Sequence, residues 1–263
     1  MNKRISVVIR NRNEAPALEK VLYILNKIYA SDLEEIIIVD NNSTDNSLEV
    51  AGRFGCKIVN ISKFSYGRAS NIGIEASSAE YVLLLSSHAI PVGESFFQNS
   101  LRALKKDEKI AGVRYVNSFA NYERAIKNDL LIENPLEYGL MAACCIINKN
   151  VWNKVKFNED LLAIEDKEWS KRVMDDGYKI LDLNETYFYF AHKNLEENLN
   201  RYKIESITTF QLHNKKFPTP INSFLSLIKK IFVTNVFQYF RNCRRAFLGF
   251  KTNLEIYQSL NEK

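Results

Sequence analysis

Short apolar runs alternate with amphipathic stretches through the first half of the chain. The runs are rich in β-branched residues and leucine, as in strands that are buried on both faces of a sheet. The stretches between them place apolar residues three and four positions apart, which is typical of helices packed on one face. We predict strands at 5–9, 36–39, 57–60 and 81–85, and helices at 17–28, 48–54 and 67–76. This alternation predicts an α/β fold with a parallel sheet and right-handed crossovers.

The pattern is more mixed after about residue 110. Strands are predicted at 112–116, 142–147 and 187–190, and a helix at 165–174 that ends at the Asp176-Gly177 stop signal. Pro218 and Pro220 mark a boundary, beyond which the sequence is basic and aromatic. We therefore predict two regions, an α/β domain over 1–217 and a helical C-terminal region over 218–263.

Composition limits the class of protein. With 263 residues, 46% hydrophobic and 25% charged, the chain can bury a core, and its net charge of +5 does not by itself indicate a nucleic-acid-binding protein. The four cysteines have no CxxC spacing, which supports neither a zinc site nor a disulfide framework. The chain enters a strand almost at once and has no apolar run that could span a bilayer, so we expect a cytoplasmic protein without a signal peptide.

The strand at 36–39 ends in a polar cluster, Asp40-Asn41-Asn42-Ser43-Thr44-Asp45. In open α/β sheets, ligands bind where strands end and helices begin. Asp40 or Asn41 has the donor and acceptor groups to recognise a nucleobase edge. A loop whose polar residues only cap the next helix is the alternative, and this segment alone leaves both open.

Four motifs in sequence order support a family resemblance. They are Ser6-Val7-Val8-Ile9 with Asn13-Glu14, the run from Val39 to Asp45, Gly67-Arg68-Ala69-Ser70-Asn71, and Glu165-Asp166-Lys167-Glu168-Trp169. Together they resemble family 2 glycosyltransferases of the GT-A fold over roughly residues 4 to 195. The resemblance implies a GT-A-like, Rossmann-type sheet that is mostly parallel and flanked by helices, with a C-terminal helical extension. It also implies a nucleotide-activated sugar donor and inversion at the anomeric centre.

The resemblance assigns roles to particular residues. Asp166 matches the base that takes the proton of the acceptor hydroxyl, and Glu165 a supporting residue of the acceptor site. Acids that only complement a helix dipole are the alternative for this pair. The residues expected to bind the donor nucleotide are Asn11, Glu14, Asp40, Asn41, Arg68, Asn71, Ser86, Ser87 and His88.

The chain departs from the family where an Asp-x-Asp motif normally holds a divalent metal. Ser86-Ser87-His88 follows the strand at 81–85 instead, so both carboxylates are missing. His88 can ligate Mn²⁺ or donate to a phosphate oxygen, and His192 is expected to converge on the same diphosphate, as a second ligand or as a cation. An interfacial His192 without a ligand is the alternative. We expect activity that is independent of metal, with Mn²⁺ or Mg²⁺ as the alternative cofactor.

The C-terminal region has a different chemistry. Residues 221–250 contain no Asp or Glu, and large apolar residues recur there at helical spacing. The basic residues of this stretch include Lys229, Lys230, Arg241, Arg244 and Arg245. Such a helix suits an anionic membrane surface, whereas packing on the same domain or on a second subunit in a homo-oligomer is the alternative. Nothing else in the chain supports nucleic acid as a partner.

These observations predict an inverting glycosyltransferase at the cytoplasmic face of a membrane. It would transfer a sugar from a nucleotide donor to a hydroxyl of a glycan or lipid-linked glycan, and the resemblance suggests bacterial surface polysaccharide synthesis. A non-catalytic partner subunit is one alternative, but such a protein would not need to retain Asp40, Arg68 and Asp166. A nucleotidyltransferase is another, although the chain lacks the glycine-rich phosphate loop such an enzyme normally has.

Overall fold

The computed structural model describes residues 5–191 and 194–261. The chain forms two compact units, one ending at Leu212 and the other beginning at His213. The first unit contains the sheet and the candidate site, and the second is helical. The predicted division at 217/218 stays a prediction.

A seven-stranded sheet forms the centre of the first unit, in the order β3-β2-β1-β4-β7-β6-β8. Strand β7 runs antiparallel to β4 and β6, and the other neighbours in the sheet are parallel. The strands are β1 (Ile5–Asn11), β2 (Leu33–Asp40), β3 (Lys57–Asn60), β4 (Tyr81–Ser86), β6 (Ile110–Tyr115), β7 (Cys144–Asn148) and β8 (Lys179–Leu183), and a separate pair is formed by β5 (Ala89–Val92) and β9 (Thr186–Tyr189). The predicted α/β fold with a mostly parallel sheet is therefore confirmed. Strand β7 is the exception to the parallel direction in this sheet.

Helices cover both faces of this sheet because alternate side chains of each strand point to opposite faces. Val7 and Ile9 of β1 pack in one buried cluster, and Val8 packs in the other. Each face therefore requires its own apolar helices. The helices of the first unit are α1 (Ala15–Ile28), α2 (Ser47–Arg53), α3 (Tyr66–Ala76), α4 (Phe96–Leu104), α5 (Phe119–Lys127), α6 (Pro135–Tyr138), α7 (Lys149–Lys154), α8 (Glu165–Asp175) and α9 (Leu195–Leu212).

The register of the central strands brings their polar ends together. Asn11 of β1 is opposite Asp40 of β2, and Arg10 is opposite Ser86 of β4. The carboxyl ends of parallel strands lie at one edge of the sheet, which is where ligands bind in open α/β folds. This edge therefore positions the candidate site.

The second unit consists of α10 (Pro220–Lys229), a π-helical segment (Lys230–Thr234) and α11 (Asn235–Asn261). Every described residue from 220 to 261 is exposed, including many large apolar side chains. Among the described helices, none is both long and apolar enough to cross a membrane. The apolar side chains of this unit therefore form surface and not core.

Candidate active site

A cavity of about 630 Å³ opens at the carboxyl edge of the sheet. Its walls come from the ends of β1 and β4, the segment before β7, the start of α8 and one side of α9. The predicted residues that line it are Asn11, Glu14, Asn41, Ser86, Ser87, His88, Glu165 and Asp166. Residues far apart in the sequence thus share one cavity.

Asp40 lies at the end of β2 and does not line the cavity. The residue is 1% exposed, and its carboxylate accepts hydrogen bonds from the Asn11 side chain at 3.1 Å and from the amide and hydroxyl of Ser43 at 2.8 and 2.6 Å. Asn41, the next residue, lines the cavity. Of the two residues predicted to recognise a base, Asn41 lines the cavity and Asp40 does not, and base recognition by either stays a prediction.

The loop after β4 places His88 on the cavity wall beside Glu14. Its Nε2 lies 3.1 Å from Glu14 Oε2, and its ring Nδ1 lies 3.3 Å from Ser87 Oγ. The His88 amide donates to Ser86 Oγ at 3.2 Å, and its carbonyl accepts from the Phe190 amide at 3.0 Å. Pairing with β9 and these short contacts fix the loop, so His88 is held in place before any ligand binds.

The donors at this loop do not fit a divalent-metal site built by protein alone. Glu14 and His88 offer one carboxylate and one imidazole, whereas hard cations prefer several oxygen ligands. Within 5–191 and 194–261, no three His, Cys, Asp or Glu side chains come together as metal ligands do. His192, the second predicted ligand, lies outside the described residues.

Glu165 and Asp166 begin α8 and differ in their surroundings. Glu165 is 4% exposed and receives a hydrogen bond from Arg10 at 2.8 Å. Burial, reinforced by the negative charge of Asp166, raises the pKa of Glu165 to about 7, although Arg10 opposes the change. Neutral and ionised Glu165 are therefore both accessible near neutral pH.

Asp166 is half-buried and lines the cavity. Its Oδ2 accepts from the Ala142 amide at 2.7 Å, and its Oδ1 accepts from the Lys167 amide at 2.8 Å. Helix α8 is fixed behind it by the fully buried Trp169, which stacks on Phe157 at 5.2 Å. Asp166 is thus a carboxylate at a helix N-terminus, and two backbone amides fix its orientation.

Ile164 enters this helix with a φ of +53°, in the left-handed region. That conformation is unfavourable for a β-branched residue, so the surrounding structure must impose it. Glu165 and Asp166, which line the cavity, follow directly after this turn.

Two predicted nucleotide-binding residues lie elsewhere. The Asn71 side chain is 5% exposed and bonds to the Trp152 indole N–H at 2.9 Å, to both the amide and the carbonyl of Phe157 at 3.0 Å, and to Glu159 at 2.9 Å. Arg68 is 42% exposed and lies 3.6 Å from Glu159. Neither residue lines the cavity, and their predicted contacts with a nucleotide stay predictions.

Sequence reasoning missed Arg10 and helix α9 as parts of the site. An arginine inside a buried apolar strand needs a counter-charge, and that signal points to an acid such as Glu165. The side of α9 that faces the cavity follows helical spacing, but α9 was not predicted as an element. The cavity residues on α9 are Glu197, Asn200, Arg201, Ile204 and Glu205.

Sequence comparison relates the chain to known proteins. Residues 6–162 match the profile of Glycosyl transferase family 2. The chain is 24% identical over 207 residues to dolichyl N-acetyl-alpha-D-glucosaminyl phosphate 3-beta-D-2,3-diacetamido-2,3-dideoxy-beta-D-glucuronosyltransferase of Methanococcus voltae, covering 67% of this chain and 63% of that protein. It is 31% identical over 135 residues to glycosyltransferase GlyG of Streptococcus pneumoniae serotype 4, covering 49% and 43%. The chain thus spans less than two thirds of the length of these relatives.

Solved structures show the same fold. A mannosyltransferase, PcManGT from Pyrobaculum calidifontis in complex with GDP-Man and Mn²⁺, superimposes with a TM-score of 0.64 at 17% identity, covering 88% of this chain and 70% of that one. Glucosyl-3-phosphoglycerate synthase from Mycobacterium tuberculosis with Mn²⁺, UDP and glucosyl-3-phosphoglycerate gives 0.60 at 18%, covering 83% and 82%. These similarities show that the fold is the GT-A glycosyltransferase fold.

Proposed function

Because the chain belongs to glycosyl transferase family 2, we propose that it transfers a sugar, with inversion, from a nucleotide-activated donor to a hydroxyl group of an acceptor. The observation that carries this proposal is the shared cavity. One wall carries the strand-end residues Asn11 and Asn41, and another carries Asp166, whose carboxylate is oriented by two backbone amides.

In this mechanism Asp166 takes the proton of the acceptor hydroxyl as its oxygen attacks the anomeric carbon. The nucleotide lies at the strand ends, where Asn41 contacts the base. The negative charge that develops on the departing phosphate is stabilised by His88 and by the cations Arg12 and Lys167, which also line the cavity. His88 is already held against Glu14, so little reorganisation is needed at the moment of reaction.

We propose that this charge stabilisation is largely independent of metal. The two structural neighbours are described with Mn²⁺, yet the loop that follows β4 here offers Ser86, Ser87 and His88 and no carboxylate. Donor turnover is therefore expected to change little between EDTA and added Mg²⁺. Complete loss in EDTA with recovery in Mn²⁺ would instead identify His88 as a ligand.

For the acceptor we propose a lipid-linked glycan at the inner face of a bacterial cell membrane. The Methanococcus voltae relative is named for a dolichyl phosphate-linked sugar. The second unit offers exposed apolar side chains together with basic residues, and residues 221–250 contain no acid. This chemistry suits an anionic lipid surface.

The test of the reaction is the substitution Asp166→Asn, with Asp175→Asn as its control. Asp175 lies on the same helix but pairs with Lys171 at the surface. Release of UDP from UDP-glucose and of GDP from GDP-mannose is measured with water or a lipid-linked acceptor. Asp166→Asn should lower turnover by roughly 10²–10⁴-fold and leave nucleotide binding intact. Equal activity of the two variants would refute the assignment, and no turnover by the unaltered protein would favour a non-catalytic partner.

The test of the membrane surface is charge reversal at Arg241, Arg244 and Arg245, followed by sedimentation with vesicles containing phosphatidylserine. Each basic residue near such a surface contributes about 1 kcal/mol, so the triple variant should lose most of its binding. Reversal of three exposed lysines of the first unit is the control, at Lys20, Lys27 and Lys105. Equal binding by both variants would favour packing or oligomerisation of the second unit.

A further inference from the structure

One guanidinium group joins four segments of the candidate active site. Arg10 Nη1 donates to Glu165 Oε1 at 2.8 Å, to Ser70 Oγ at 3.2 Å and to the Tyr66 carbonyl at 3.4 Å. Its Nη2 donates to the Ala142 carbonyl at 3.4 Å. The side chain is 15% exposed, and its guanidinium lies 5.1 Å from the centre of the Tyr66 ring. Strand β1 is thereby tied to α3, to α8 and to the segment that precedes β7.

Ala142 contacts both Arg10 and Asp166 through its backbone. Its carbonyl accepts from Arg10, and its amide donates to Asp166 Oδ2 at 2.7 Å. We propose that Arg10 is a positioning residue, which fixes Glu165 and Ala142 and thereby holds Asp166 in the orientation in which it accepts the proton. This inference rests on the proposed function, since it gives Asp166 the role of base.

Among the charges around Glu165, that of Arg10 favours its ionised form. Arg10 faces Glu165 from β1, Asp166 from its own helix and Cys145 from β7, while Tyr66 of α3 faces Arg10. Among these groups Arg10 is the cation that opposes the effect of burial on the Glu165 pKa. A neutral Glu165 loses the ionic part of its bond to Arg10, and the connection to Ala142 loosens. The acidic limb of the pH–rate profile should therefore follow the ionisation of Glu165.

The first arm of the test compares turnover of UDP-glucose and GDP-mannose, by nucleotide release, in Arg10→Gln, Arg10→Lys and the control Arg53→Gln. Arg53 forms an exposed pair with Glu19 at 3.0 Å, away from the cavity. Arg10→Gln should lower kcat by about 10²-fold with little change in KM, because misplacement of a catalytic group by about 1 Å has that effect. Its acidic limb should move up by at least about one pH unit, since the nearby opposite charge is gone.

Arg10→Lys separates charge from geometry. A lysine keeps the positive charge but not the planar fork that reaches two partners. The acidic limb should therefore stay near its original pH, while kcat remains reduced. A purely structural role would lower the melting temperature and move neither the limb nor the ratio of kcat to KM relative to Arg53→Gln, and that result would overturn the proposal.

The second arm does not depend on activity. Hydrogen exchange of the Ala142 amide, which donates to Asp166, should be faster in both Arg10 variants than in Arg53→Gln. If the protein turns over no donor, the proposed function fails, and this exchange still decides whether Arg10 fixes the segment. Unchanged protection of the Ala142 amide in Arg10→Lys would overturn the positioning role. This variant decides the question even if Arg10→Gln does not fold.

Discussion

The buried Glu165 should make the stability of the first unit depend on pH, and Glu165→Gln should remove that dependence. The folded state raises the pKa of this carboxyl from 4.5 to about 7, mainly because burial disfavours its charge. Between these two values the folded state holds a proton that the unfolded chain has released. The contribution of Glu165 to the free energy of unfolding therefore falls as pH rises from 4.5 to 7, and it levels off above 7.

The size of the effect follows from the same two values. One pKa unit corresponds to 1.36 kcal/mol, so the whole window corresponds to about 3 kcal/mol. Glutamine has the shape of the neutral acid and does not titrate. Relative to the unaltered protein, the variant should therefore gain about 3 kcal/mol between pH 4.5 and pH 7.5.

Urea denaturation at half-unit steps of pH measures this difference. Trp152 and Trp169, the two tryptophans of the chain, are both buried in the first unit, so their fluorescence reports its unfolding. Glu19→Gln is the control, since Glu19 is 48% exposed in a surface pair. Parallel curves for Glu165→Gln and the unaltered protein would refute the reasoning, because every other titrating group is common to both.

Three further outcomes are expected. Gly73→Ala should destabilise the first unit by about 1–3 kcal/mol in urea titrations, because its Cβ would clash with a methyl of Val8. Gly52→Ala, where the Cβ meets nothing within 4 Å, should be neutral or stabilising in the same assay. Asn71→Leu should lower the free energy of unfolding by at least about 2 kcal/mol and leave calorimetric nucleotide affinity unchanged, and a selective loss of affinity would restore its predicted role. His88→Ala should reduce nucleotide release from a sugar donor at least about tenfold with little change in melting temperature, and normal release would remove it from the mechanism.

Periodicity predicted the fold well where strands are buried and continuous. The strands at 5–9, 36–39, 57–60 and 81–85 lie within β1 to β4, since an apolar run between polar turns has few alternatives. It failed for short or marginal elements such as β5, β8 and α9. The antiparallel direction of β7 depends on where the chain returns, and local pattern contains no such information.

The site was predictable only in part, for a related reason. A motif identifies which residues follow a strand or begin a helix, as with His88 and Asp166, but it does not say which of them line the cavity. Asp40 and Asn71 are strong hydrogen-bonding groups, and the fold uses that capacity internally. Arg10 contacts Glu165 across 155 positions, a pairing that becomes apparent only once the strands are placed.

Helix α9 forms one wall of the cavity and contributes little to the core. Among its described residues only Thr208 is buried, so the side chains it presents to the cavity can be exchanged without disturbing the sheet. The strand ends have no such freedom, because their register is set by the core. Over evolutionary time, divergence should therefore accumulate along this helix while the opposite wall drifts slowly. Descendants of one ancestral chain would then differ mainly in the cavity side chains of α9 and share those at the strand ends.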